Sequence, residues 1–127
     1  MSKGGRVKAV LPRTKYSNLV TEQSIYACYD LLRTVYPFSS WDLPDKIEVT
    51  VQDDHTAYAE FVVPDEINVS KALVWSMDEL VRSVAHEMAH MMQYRMGKFD
   101  ENNPHDALFH KLSREICLSL GWRQQEF

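Results

Sequence analysis

Between Leu19 and Tyr36 the apolar residues Ile25, Cys28, Tyr29, Leu32 and Tyr36 recur at three- and four-residue spacing, which predicts an amphipathic helix stopped by Pro37. A turn-rich stretch, PFSSWDLPD, follows. From Lys46 to Gln52 the period changes to two, with Ile47, Val49 and Val51 alternating with Glu48, Thr50 and Gln52, the signature of a half-buried strand. Asp53–Thr56 reads as its turn and places His55 in a hairpin. Ala57–Val63, rich in aromatic and β-branched residues and ended by Pro64, predicts a second strand, and Ile67–Ser70 a short third. The helical period then returns. Ser76 and Glu79 form an S-x-x-E capping box, so a long helix should start near Met77, carry an apolar stripe of Met77, Leu80, Val81, Val84, Met88, Met91 and Met92, and end at Gly97. A last helix is expected to open with Asn103 as its cap, Pro104 in the first turn and Asp106 near the positive end of the dipole, and to close around Gly121. The fold class is α+β: a small antiparallel or mixed three-stranded sheet packed with an N-terminal helix, a central long helix and a C-terminal helix.

At 127 residues the chain has the size of one domain that buries a core unaided. The first fifteen residues carry Lys3, Arg6, Lys8, Arg13 and Lys15 and no acid, so residues 1–18 read as a basic, flexible arm and residues 19–127 as the single folded domain. Such an arm is either a solvated terminus or a strip able to touch a phosphate backbone. The net charge of −4 gives no global reason for nucleic-acid binding. Cys28 and Cys117 lack metal-site spacing, and neither a signal peptide nor a membrane span is evident, so a cytoplasmic protein with no membrane partner is expected.

The chemistry is concentrated in HEMAH, residues 86–90, an instance of HExxH. Positions four apart lie one above the other on a helix face, so His86 and His90 can meet one zinc ion, while Glu87, offset to one side, can reach a water there as general base without becoming a ligand. The apolar stripe centres near Val84 and both histidines project almost opposite it, so a helix packed through its methionines would present them to a cleft. HExxH arises by chance in about one per cent of sequences with this histidine and glutamate content, so a third ligand is needed to give it weight. His105, with fourteen residues between it and His90, is the best nominee. The gap accommodates a helix end, a reversal at Gly97 and the opening turn of a helix folding back, on which His105 would share the inward face of Leu108, Phe109 and Leu112. Glu115 remains an alternative ligand. His110, rotated by about 140° from His105, reads as a residue at the site's margin, and His55 as a surface residue. Tyr94, one turn beyond His90, is a candidate transition-state donor whose ordinary reading is packing. The metzincin pattern is excluded, because Gln93 and Met96 stand where a glycine and a third histidine belong.

The stretch INVSKALVWSMDELVRSVAHEMAHMM, followed by NPHDALFHKLSREI, resembles the SprT-like, or Spartan-type, zinc metallopeptidase domain over roughly Leu19 to Leu120. The resemblance rests on Ser70 in a short strand before the active-site helix, on His86 to His90, and on a PH-x-x-x-F element at Pro104, His105 and Phe109. It implies a zincin-like minimal peptidase fold, one catalytic zinc held by His86, His90 and His105, Glu87 as the working base, and protein or peptide substrates. It also implies a link to DNA-associated or DNA-crosslinked proteins and their repair. Asp106 stands where the family often has glycine, and the cysteine zinc ribbon that many relatives carry beyond the catalytic domain has no counterpart in these residues. The rival reading is a non-catalytic, metal-stabilised module that binds DNA or protein through the basic arm.

Overall fold

The computed structural model describes Gly5, Ala9 and residues 19–127. The basic arm expected over 1–18 otherwise lies outside the described residues. Among the described residues three helices and three strands follow one another as α1 (Glu22–Leu32), β1 (Glu48–Gln52), β2 (Ala59–Val62), β3 (Glu66–Ser70), α2 (Met77–Arg95) and α3 (Ala107–Leu120), with single 3-10 turns at Phe38–Ser40 and Gln124–Glu126. Helix α1 is shorter at both ends than its apolar period predicts. Thr21 caps it, trading hydrogen bonds with Ser24 in a capping box, and at the other end Val35 N–H bonds back only three residues, to Leu32. Pro37 disfavours helical geometry in the residue before it, so the apolar period runs on while the backbone cannot.

The sheet is mixed, in the order β1-β3-β2. Strand β3 pairs in parallel with β1, Val49 opposite Ile67 and Val51 opposite Val69, and antiparallel with β2, Phe61 opposite Ile67. The expected hairpin between β1 and β2 is therefore corrected: β3 separates them, and His55 lies exposed in a crossing loop where Asp54 accepts hydrogen bonds from Thr56. Ile67 and Val69 of the central strand have no exposed surface, and with Val49, Val51, Ala59 and Phe61 they form the sheet face turned to the helices. Among the described residues no strand pairs with the outer edge of β2.

Helix α2 is the hub. It touches α1, α3, β2 and β3, and Leu80, Val84, Met88 and Met91 on it are fully buried among Ile25, Tyr29, Phe109 and Ile116. Met77, placed in the apolar stripe by its spacing, is instead 56% exposed; it is the first residue of the helix. The capping box at Ser76 and Glu79 is formed in both directions, and Gly97 takes the left-handed conformation, with Lys98 N–H reaching Gln93 O and Gly97 N–H reaching Tyr94 O. Ser76→Ala is expected to cost about 1 kcal/mol of unfolding free energy, read as a shift of the urea midpoint at constant slope.

Helix α3 begins later than predicted. Asp106 is its N-cap, accepting from Phe109 N–H at 3.0 Å, whereas Asn103 and Pro104 lie in the turns before it. Gly121 closes it in the left-handed conformation, as expected. Among the described residues no helix is long and apolar enough to cross a membrane.

Candidate metal centre

His86 and His90 stand one turn apart on α2, with ring centroids separated by 5.0 Å. His105 reaches them from the turn immediately before α3, its ring 5.2 Å from that of His86 and 5.1 Å from that of His90. The expectation that His105 sits on the inward face of a helix is thus corrected: it precedes the cap, is exposed, and lies at the rim of the site rather than in the core. One ligand nitrogen from each histidine lies within 4.8 Å of the others, and the Nε2 atoms of His86 and His105 are 3.2 Å apart. In a tetrahedral site with zinc–nitrogen bonds near 2.0 to 2.1 Å, ligand nitrogens stand about 3.3 Å from one another, so the His86–His105 separation is that of two ligands of one cation, and the three histidines together could hold a metal ion.

The tautomers agree. His86 Nδ1 lies 3.1 Å from the main-chain oxygen of Phe127, and His90 Nδ1 lies 2.7 Å from Gln93 Oε1. Both partners are acceptors, so each Nδ1 carries the proton and each Nε2 keeps its lone pair for a cation. Phe109 forms the floor, its ring centroid 4.8, 4.6 and 4.7 Å from those of His86, His90 and His105. Burial pulls the His86 pKa down to about 4, aided by His90 and His105 and opposed by the Phe127 oxygen. Burial also lowers the pKa of His90, against its hydrogen bond to Gln93. Neutral imidazoles, the ligating form, are therefore what this pocket favours near pH 7.

Glu87 is 5% exposed. Burial pushes its carboxyl up to about 8, and the charge of Glu60 adds to the effect, while the Phe61 main-chain N–H works against it. It opens onto a groove of about 420 Å³ that runs along α2 past Glu79, Arg82, Ser83 and His86. One wall is Tyr58 and Ala59 at the start of β2; the other is Glu126 and Phe127. Arg82 holds the second wall by donating to Glu126 O at 2.8 Å.

The model of the SprT-like family matches residues 41–124. The chain belongs to the SprT-like family. No curated protein and no solved structure matches it. The SprT-like segment runs from Trp41 to Gln124 and so contains the whole sheet, α2, α3, all three histidines and Glu87, while α1 precedes it.

Other residues that the sequence singled out in this SprT-like chain lie around the centre rather than in it. Tyr94 is 41% exposed with its ring against Phe61, at 6.1 Å. His110 is exposed, beside Phe109, and its main-chain oxygen accepts from Gln124. Glu115, half-buried on α3, does not join the ligand cluster. Two participants were not anticipated. Gln93 enters the sequence reading only, with Met96, as grounds for excluding the metzincin pattern, although a glutamine three residues beyond a ligand histidine lies on the same helix face, a signal legible in the chain. Phe127 meets His86 across 41 residues of sequence, which no local pattern reveals.

Proposed function

We propose that this chain is a zinc-dependent endopeptidase, with residues 19–127 forming one zincin-like domain, His86, His90 and His105 holding the metal and Glu87 acting as the base. The observation that carries the reading is the convergence of three imidazoles, two with Nε2 lone pairs set by their Nδ1 partners, beside a buried carboxylate that opens onto a groove. Zinc bound there supplies Lewis acidity, polarising a carbonyl and bringing the pKa of water towards about 7. The chain's own part is positional and protolytic. An extended substrate segment lies along the outer edge of β2, which no strand among the described residues covers, its scissile carbonyl carbon facing Glu87 and the histidines, with Tyr58 and Ala59 on one side and Phe127 on the other. Glu87 takes a proton from the attacking water as the water oxygen bonds to the carbonyl carbon, and passes that proton to the amine nitrogen as the carbon–nitrogen bond breaks. Tyr94 packs on Phe61, and His110 lines a small cavity with His86, His105 and Phe127; the proposed proton transfers use neither.

DNA-associated proteins are the proposed substrates, supported by the family resemblance and by the basic residues of the N-terminal arm. A cytoplasmic setting fits Cys28 and Cys117, which are both free and buried. Protein purified without chelator is expected to carry about one zinc per chain and to cleave unfolded casein. Stripping the metal should stop the cleavage and zinc should restore it. Adding single-stranded DNA should raise cleavage of a DNA-bound protein above that of a free one. A protein without bound metal, or cleavage indifferent to chelator, sinks the peptidase reading; indifference to DNA removes only the proposed substrate class.

A further inference from the structure

Gln93 occupies the last turn of α2 and has no exposed surface at all. A buried primary amide must place one oxygen and two N–H groups, and an unmatched one is costly. Here all are matched. Oε1 lies 2.7 Å from His90 Nδ1, and Nε2 donates to Pro104 O and to Asp106 Oδ1, both at 3.0 Å. The orientation of the amide follows from these partners, because turning it over would set its oxygen against a carbonyl and a carboxylate. Pro104 and Asp106 are the residues on either side of His105. Asp106 is further fixed as the cap of α3, through Phe109 N–H. A single side chain on α2 thus holds the proton of one imidazole and both shoulders of another.

We propose that Gln93 is a positioning residue that sets His90 and His105 against each other before any metal binds, by locking the His90 tautomer with its oxygen and the His105 turn with its two N–H groups. The inference rests on the metal-centre reading above. It explains how an exposed histidine in a turn is held in register with a buried one on a helix: the loop from Gly97 to Asn103 is tied to α2 at its start by Gly97 N–H on Tyr94 O, Lys98 N–H on Gln93 O and the Phe99 ring beside His90, and the Gln93 side chain takes hold of the chain again at Pro104 and Asp106, on either side of His105.

The test compares wild type with Gln93→Met, Gln93→Glu and the exchange Gln93→Glu/Asp106→Asn. Zinc affinity is measured by competition with a chromophoric chelator, the ligand field from the visible spectrum of the cobalt-substituted protein, and folding of the metal-free chain by thermal melting. Gln93→Met is expected to weaken zinc binding about 10- to 100-fold and to shift the cobalt bands. Gln93→Glu should also weaken it, since its carboxylate meets Asp106. The exchange keeps the acceptor for His90 and supplies a donor from position 106 while Pro104 O still faces a carboxylate oxygen, so it should recover part, but not all, of the affinity that Gln93→Glu loses. A residue that merely filled space would lower the melting temperature and leave affinity and spectrum as they were; that result overturns the proposal. So does an exchange variant no better than Gln93→Glu. Wild type that binds neither zinc nor cobalt overturns the metal-centre reading, and this proposal with it, before any variant is compared.

Discussion

Glu87→Gln is expected to lower peptide cleavage about 10²- to 10⁴-fold, the span associated with loss of a general base, while zinc content stays at the wild-type level. Glutamine keeps the size of the side chain and can still accept from the Phe61 main-chain N–H, but it has no basic oxygen to take a proton from water. Glu87 is not one of the converging ligands, so the metal should remain. Cleavage rate and metal content of the same preparation, measured together, separate this outcome from the rival one. In a binding module whose metal is purely structural, the substitution changes neither quantity.

The second large effect concerns the metal-free protein and pH. The carboxyl of Glu87 is raised from about 4.5 to about 8 by burial, so the folded chain holds its proton where the unfolded chain has already lost it. A group raised in this way favours folding fully below its unfolded value, and that contribution drains away as pH climbs towards the folded value. Between pH 5 and pH 8 the metal-free wild type should lose roughly 3 to 5 kcal/mol through this residue alone. Glu87→Gln has no proton to lose. Its metal-free form should therefore melt close to wild type at pH 5 and well above it at pH 8. The His86 contribution, which runs the other way because its pKa falls to about 4, is common to both proteins and cancels in the comparison. Melting curves that stay parallel from pH 5 to pH 8 would falsify the burial argument. The same experiment with zinc present should show a smaller gap, since a nearby cation favours the carboxylate.

What could be read from the chain in advance was what is decided locally. The start and end of α2 follow from Ser76, Glu79 and Gly97, which act within one turn, and its facing follows from the apolar period. The pairing of His86 with His90 follows from the same helix geometry. His105 was reachable by distance along the chain, but its posture was not. Asn103 and Asp106 are both good caps by residue type, and Asp106, which serves, is also bonded to Gln93 of α2, a partner outside its own segment. Strand order was beyond reach for a related reason: Val49 and Phe61 both pair with Ile67, on opposite sides of one strand, and nothing in their own segments states which neighbour they will meet. The Phe127 oxygen on His86 belongs with these long-range closures.

Between Leu80 and Gln93, α2 spends one side on the interior and the other on the histidines and Glu87, so its middle turns leave few positions free to vary. Anyone seeking to alter which polypeptides the cleft admits must work on its banks, at Tyr58 and Ala59 or at Glu126 and Phe127. Diversity of selectivity in this architecture should accordingly be found in the margins, with the long helix held constant between them.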